Sequence, residues 1–130
     1  MKSNGKVILV IIDGLKFQTA VDQCGYLEAL VESKKARRMK MIAVLPTLSA
    51  PIYETLHTGL EPVDHGITSN DNLRKSNSEN IFSIAKENGL KTAAAAHCYF
   101  STLYNADPYI PITDQEVNDA NKPIQYGRFY

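Results

Sequence analysis

The sequence has 130 residues, with 14 basic and 14 acidic side chains and a formal net charge of zero. This balance argues against a nucleic-acid-binding surface, which would show an excess of Lys and Arg. A hydrophobic fraction of 44% suits a globular core, and the length suits one domain. Cys24 and Cys98 form neither a metal motif nor a disulfide framework, so we expect reduced thiols in a cytoplasmic protein.

The first element is the apolar run from Lys6 to Ile12, which is typical of a buried parallel strand. The run is too short to span a membrane or to serve as a signal peptide, so no membrane partner is predicted. Asp13 follows directly, at the strand end where α/β proteins bind ligands. Taken alone, an Asp in this place more often caps a helix or forms a turn.

Residues 16–38 are predicted to be helical with a break near Cys24-Gly25, and residues 39–45 are predicted to form a second strand. Pro51 suits the first position of a helix over 51–57, which Gly59 would end. Ser49 then lies at or just before the helix start, where free N–H groups stabilise phosphate oxygens and favour an alkoxide. A lone Ser before a Pro more often merely caps the helix.

Polar residues follow this helix. Asn70 lies in an irregular stretch, and its amide could donate a hydrogen bond to a phosphoryl oxygen, although by itself it would be a turn residue. His65 and His57 are predicted to have structural hydrogen-bonding roles.

The rest of the chain shows weaker patterns. Ser76 to Glu79 matches a capping box and predicts a helix over 77–88, which Gly89 would end. Residues 91–99 are predicted to be a third strand. From Phe100 the apolar pattern thins, so residues 100–130 are predicted to be a long loop or lid-like segment with little regular structure.

Residues 46–70 carry a pattern of fixed spacing: Pro-Thr-x-Ser-x-Pro, then Thr-Leu-x-Thr-Gly, then Pro-x-x-His-Gly-Ile, then Asn. This pattern resembles the nucleophile segment of the type I phosphodiesterase/nucleotide pyrophosphatase family, in the alkaline phosphatase superfamily. The resemblance extends over roughly residues 6–97. The matching residues are Pro46, Thr47, Ser49, Pro51, Thr55, Leu56, Thr58, Gly59, Pro62, His65, Gly66, Ile67 and Asn70.

The resemblance implies an α/β three-layer sandwich with a mostly parallel sheet, of which residues 1–130 would be a single N-terminal portion. It implies two divalent metal ions of the zinc type, with Asp13 and Ser49 as metal ligands. Ser49 would be the catalytic nucleophile, forming a covalent phospho-Ser49 intermediate, and Asn70 would bind the substrate. The substrate would be a small-molecule phosphate ester or a nucleotide.

The sequence lacks the Asp-x-x-x-His pattern and the later His ligands of that family, and Asp13 and Ser49 alone do not complete a zinc site. We therefore expect the N-terminal part of a longer enzyme, inactive by itself. A phosphonate or phosphomonoester hydrolase of the same superfamily is an alternative. A sulfatase is disfavoured because Tyr53 replaces the Arg of the sulfatase signature. An alternative of another class is a non-catalytic α/β binding or assembly module, and homo-oligomerisation is left open.

Overall fold

The computed structural model of the protein describes residues 5–130. These residues form two compact units, which divide in sequence between Ile42 and Ala43.

The first unit contains two short helices, α1 (Phe17–Gln23) and α2 (Gly25–Glu32). Cys24 separates them: its backbone N–H donates to the carbonyl oxygen of Ala20 at 2.9 Å and ends α1. The predicted break near Cys24-Gly25 is confirmed. The helical segment ends at Glu32, earlier than the predicted residue 38, because the following residues turn back with Lys34 at a φ of 59°.

Two predicted strands are absent from the described residues. The runs 7–12 and 39–45 have no regular secondary structure, and neither is part of a sheet. Val7 is 94% exposed, although the first run was predicted to be buried, and Met39 in the second run is 85% exposed. The physical reason is that β-branched composition only favours an extended backbone, whereas a strand also needs a neighbouring strand for its hydrogen bonds.

The second unit opens with α3 (Ser49–Thr58) and α4 (Pro62–His65). Each helix ends at a glycine in the left-handed conformation, with φ of 75° at Gly59 and 73° at Gly66. Glycine adopts this conformation without steric cost, so both helices stop sharply. The predicted end of the helix at Gly59 is confirmed, and the second glycine of the sequence pattern serves the same purpose.

The next helix, α5 (Ile81–Glu87), begins later than predicted. Its N-cap is Asn80, whose Oδ1 accepts from the backbone N–H groups of Phe82 and Ser83 at 3.1 Å. The backbone N–H of Asn80 donates in return to the Ser83 hydroxyl at 3.0 Å. The predicted capping box over Ser76 to Glu79 is therefore wrong, since the Ser76 hydroxyl is bonded elsewhere.

The remainder of the unit contains three strands and two helices, in the order β1 (Ala93–Ala96), α6 (Tyr99–Tyr104), α7 (Pro111–Asp114), β2 (Glu116–Asn118) and β3 (Tyr126–Phe129). In the sheet order β1-β3-β2, the β1–β3 pair is parallel and the β2–β3 pair is antiparallel. The third predicted strand is found as the shorter β1. The prediction of a loop over 100–130 is wrong, because four of these elements lie largely there. The fold class is α/β with a small mixed sheet.

The core of the second unit is formed where α6 packs on α3. Phe100, Leu103 and Tyr104 of α6 are buried, and the Phe100 ring lies 5.1 Å from the ring of Tyr53 on α3. Phe129 of β3 is also fully buried. Burial of α3 against these aromatic side chains fixes the helix that begins at Ser49.

Asn105, at the end of α6, holds the chain just before β3. Its Nδ2 donates to the carbonyl oxygen of Ile124 at 2.9 Å, and its Oδ1 accepts from the Ile124 N–H at 3.0 Å. Both residues are buried. The side chain thus imitates the pair of bonds that two neighbouring strands would exchange.

Replacement of Asn105 by alanine is expected to cost about 2 kcal/mol of unfolding free energy, because two buried backbone groups of Ile124 lose their partners. Urea denaturation of the variant measures this loss, and Asn72→Ala, at an exposed asparagine, is the matched control. An Asn105→Ala protein as stable as the control would show that Ile124 finds other partners.

Among residues 5–130, the structure contains no helix with the length and apolar character that crossing a bilayer requires.

Candidate active site

Ser49 is the first residue of α3, and its side chain is half-buried. The first hydrogen bond within the helix runs from the Ile52 N–H to the carbonyl oxygen of Leu48 at 3.1 Å. The N–H groups before Ile52 therefore have no acceptor inside the helix. Pro51 is the third helical residue and not the first as predicted, yet it still occupies a position where an N–H would find no partner within the helix.

Asn70 lies at this helix start. The backbone N–H of Ala50, the residue after Ser49, donates to Asn70 Oδ1 at 2.9 Å. The structure thus brings two of the three residues predicted for the site to one place. Because Oδ1 is held by the backbone, Nδ2 is the group of this amide that can donate to a ligand. A role for Asn70 in substrate binding stays a prediction.

Asp13 belongs to the first unit, whereas Ser49 and Asn70 belong to the second. It is exposed and lies in a tight turn with Gly14, whose φ is 76°. The turn is closed by the Leu15 N–H, which donates to the carbonyl oxygen of Ile12 at 3.4 Å. Asp13 therefore lies in a turn, one of the two alternatives considered for an Asp in this place, and the run before it is not a strand. Its pairing with Ser49 stays a prediction.

Metal ligation needs more groups than these residues offer. A catalytic zinc ion is normally held by about three protein side chains plus water or substrate. Within residues 5–130, no three His, Cys, Asp or Glu side chains lie close enough together to hold one ion. A zinc site therefore does not fit the described residues by themselves.

We expect the 130-residue chain to bind zinc weakly, because Asp13 and Ser49 supply fewer ligands than a stable site requires. Isothermal titration of the chain with zinc, beside its Asp13→Ala variant, measures this. A dissociation constant of about 1 μM or below, roughly −8 kcal/mol of binding free energy, would contradict the expectation. A weaker affinity in Asp13→Ala would then identify Asp13 as a ligand.

His65 has the structural role predicted from the sequence. It is buried, its Nδ1 accepts from the Ile67 N–H at 3.1 Å, and its Nε2 therefore carries the proton donated to Thr55 Oγ1 at 3.1 Å. Burial lowers the pKa of His65 below its usual value, because the charged form loses its hydration. The ring joins the end of α4 to the middle of α3.

A buried polar cluster on α3 was not predicted. The Glu54 side chain is fully buried, and its Oε2 accepts from the Tyr104 hydroxyl at 2.7 Å. The Ser76 hydroxyl donates to Oε1 of the same carboxyl group. Tyr104 in turn lies 2.8 Å from His57 Nδ1, so this imidazole donates to the phenol oxygen. The cluster joins α3, the segment at Ser76 and α6.

His57 lies at one end of this cluster, among aromatic rings. Its ring centroid lies 4.9 Å from that of Phe100 and 5.3 Å from those of Phe82 and Tyr104. Among the residues described, its Nε2 has no hydrogen-bond partner. Burial lowers the pKa of His57 from 6.5 to about 4, since a proton on Nε2 would bring charge among aromatic rings. Burial, followed by the nearby Glu54, raises the pKa of Tyr104.

A local signal for part of this cluster exists in the sequence. Glu54 and His57 are three residues apart, which places them on the same face of α3 as the apolar side chains. Their partner Tyr104 lies 47 residues beyond His57, and no local pattern connects them.

No curated protein and no solved structure matches this chain. Residues 7–117 match the family model described as type I phosphodiesterase / nucleotide pyrophosphatase. The match includes Asp13, Ser49 and Asn70, and members of this family generally depend on metal ions. The chain therefore belongs to the type I phosphodiesterase/nucleotide pyrophosphatase family.

Proposed function

We propose that this protein is a hydrolase of phosphate esters, of the phosphodiesterase/nucleotide pyrophosphatase type, and that Ser49 is its nucleophile. The observation that supports the proposal is the position of Ser49 as first residue of the ten-residue helix α3, with Asn70 bonded to the next backbone N–H. The start of a helix is the positive end of its dipole and favours negative charge. Such charge develops on an attacking serine oxygen and on the phosphoryl group.

The proposed reaction has two steps. Ser49 Oγ forms a bond to phosphorus while the bond from phosphorus to the leaving oxygen breaks, and the proton of the hydroxyl is transferred to the leaving group. Water then attacks the phosphoryl-serine, restores the Ser49 hydroxyl and releases the phosphate product. Asn70 Nδ2 donates to a phosphoryl oxygen that gains charge during both attacks.

Asp13 and Ser49 are the metal ligands of this proposal, and the ions are two zinc ions. Since the described residues do not complete a zinc site, neither step above is assigned to a metal. The substrate class is a small-molecule phosphate ester or a nucleotide. The proposal also includes an alkaline phosphatase-like three-layer sandwich, with residues 1–130 as its N-terminal portion, and a cytoplasmic location inferred from the two thiols.

Detection of the covalent intermediate tests the proposal. The protein, expressed from its complete coding sequence and loaded with zinc, is mixed with a p-nitrophenyl phosphodiester and quenched in acid within one turnover. Mass spectrometry of the digest is expected to show the phosphoryl adduct on the peptide that contains Ser49. An adduct on another residue, or turnover without any adduct, would contradict the nucleophile assignment.

A further inference from the structure

The segment from His65 to Ser76 is fastened to α3 at both of its ends. At one end, His65 Nε2 donates to Thr55 Oγ1 at 3.1 Å. At the other end, the Ser76 hydroxyl donates to the carboxyl group of Glu54, the residue next to Thr55. Asn70 lies between these two contacts and accepts from the Ala50 N–H at 2.9 Å. The segment that carries Asn70 is therefore a loop closed upon the same helix that begins with Ser49.

Ser76 is held in place independently of Glu54. Its backbone N–H donates to the carbonyl oxygen of Leu103 on α6 at 2.8 Å. Its hydroxyl oxygen accepts from the Ser78 N–H at 3.1 Å, so the hydroxyl proton is directed to Glu54. These contacts fix both the position and the orientation of the hydroxyl.

Packing alone does not explain a glutamate at position 54. Its side chain is fully buried, and a buried carboxyl group loses the hydration that it would have in water. Apolar residues of similar size often stabilise such a position better. The carboxyl group instead holds two hydroxyl groups in fixed positions, because one oxygen accepts from Tyr104 on α6 and the other accepts from Ser76 in the loop.

We propose that Glu54 and Ser76 are positioning residues, which hold the loop of Asn70 at the start of α3. The inference rests on the proposed function, because it gives these residues a task in a reaction at Ser49. They touch neither the substrate nor the reacting atoms. They limit the freedom of the loop, so that Asn70 is already in place when the phosphoryl group binds, and a small displacement of such a group costs much of its effect.

A double-mutant cycle on the complete zinc-loaded enzyme tests this proposal, with p-nitrophenyl phosphodiester turnover as the measurement. Ser76→Ala is expected to lower kcat by about 10-fold when Asn70 is present and by less than about 2-fold in the Asn70→Ala background. The reason is that Ser76 acts through Asn70. Ser76→Thr retains the hydroxyl and is expected to restore most of kcat, while Ser78→Ala is the matched control at a neighbouring serine and is expected to leave kcat unchanged.

Equal fold-losses from Ser76→Ala in both backgrounds would overturn the inference, since Ser76 would then act without Asn70. If Ser76→Ala does not fold, Glu54→Gln carries the same cycle, because a neutral amide accepts the Ser76 hydrogen bond more weakly than a carboxylate. The Ser49→Ala enzyme separates the two proposals. Wild-type turnover in that variant would refute the proposed function, whereas independent effects of Ser76 and Asn70 in an enzyme that requires Ser49 would refute only the positioning role.

Discussion

Replacement of Ser49 by alanine is expected to lower kcat for a phosphodiester substrate by at least about 10³-fold, because the variant has no oxygen that can attack phosphorus. The loss is expected in kcat more than in KM. Asn70 remains at the start of α3, so its proposed contact with the phosphoryl group is kept. Steady-state kinetics of the enzyme expressed from its complete coding sequence measures both constants.

Two variants make this result specific. Ser49→Thr keeps a hydroxyl at the same position and is expected to retain activity. Ser33→Ala, at an exposed serine near the end of α2, is the matched control and is expected to have no effect. Thermal unfolding of all three variants shows whether α3 is intact. A Ser49→Ala enzyme with more than about one tenth of wild-type kcat would remove Ser49 as the nucleophile.

Acidification from pH 6.5 to pH 4 is expected to destabilise the second unit through His57. The folded-state pKa is about 4, and the ordinary value in an unfolded chain is 6.5. Above pH 6.5 the imidazole is neutral in both states, and the stabilisation is fully present. Below pH 6.5 the unfolded chain takes up a proton that the folded protein does not, so stability falls with pH. The full loss is about 3 kcal/mol.

The side chains around His57 include a second ionisable group. Its imidazole faces the Tyr104 hydroxyl, with Glu54 behind it, and the rings of Phe82 and Phe100 cover the remaining sides. Carboxyl groups of the unfolded chain also take up protons in this pH range. The pH dependence therefore has to be compared between variants and not taken from the wild-type protein alone.

His57→Phe is the informative variant, since a phenyl ring suits the aromatic surroundings and does not titrate. Urea denaturation at a series of pH values is expected to show that this variant loses about 3 kcal/mol less than the wild type between pH 6.5 and 4. His97→Phe, at an exposed histidine, is the matched control and is expected to follow the wild type. Parallel curves for His57→Phe and the wild type would show that His57 is not responsible.

Local sequence signals correctly predicted where two of the helices end. The break at Cys24-Gly25 and the end of α3 at Gly59 follow from backbone preferences that residues carry wherever they occur. These features need no knowledge of distant contacts.

Features that depend on distant partners were predicted wrongly or missed. Ser76 and Glu79 have the spacing of a capping box, but the Ser76 hydroxyl is bonded to Glu54, 22 residues earlier, and Asn80 caps α5 instead. The runs 7–12 and 39–45 have strand composition without a strand partner in the described chain. The buried Glu54–Tyr104 pair spans 50 residues. Composition and periodicity carry no information on such pairs.

The order of the strands in the sheet limits how far the protein can be shortened. Within the described residues, β1 and β2 each pair with β3 and not with one another, although β3 is the last strand in sequence. A stop codon placed before Ile124 would delete the shared central strand together with the backbone partner of Asn105. Expression trials that shorten the chain to a point before Ile124 are therefore expected to give an insoluble product. The strand edges of β1 and β2 that pair with β3 would face solvent, and the buried Phe129 would be lost from the core.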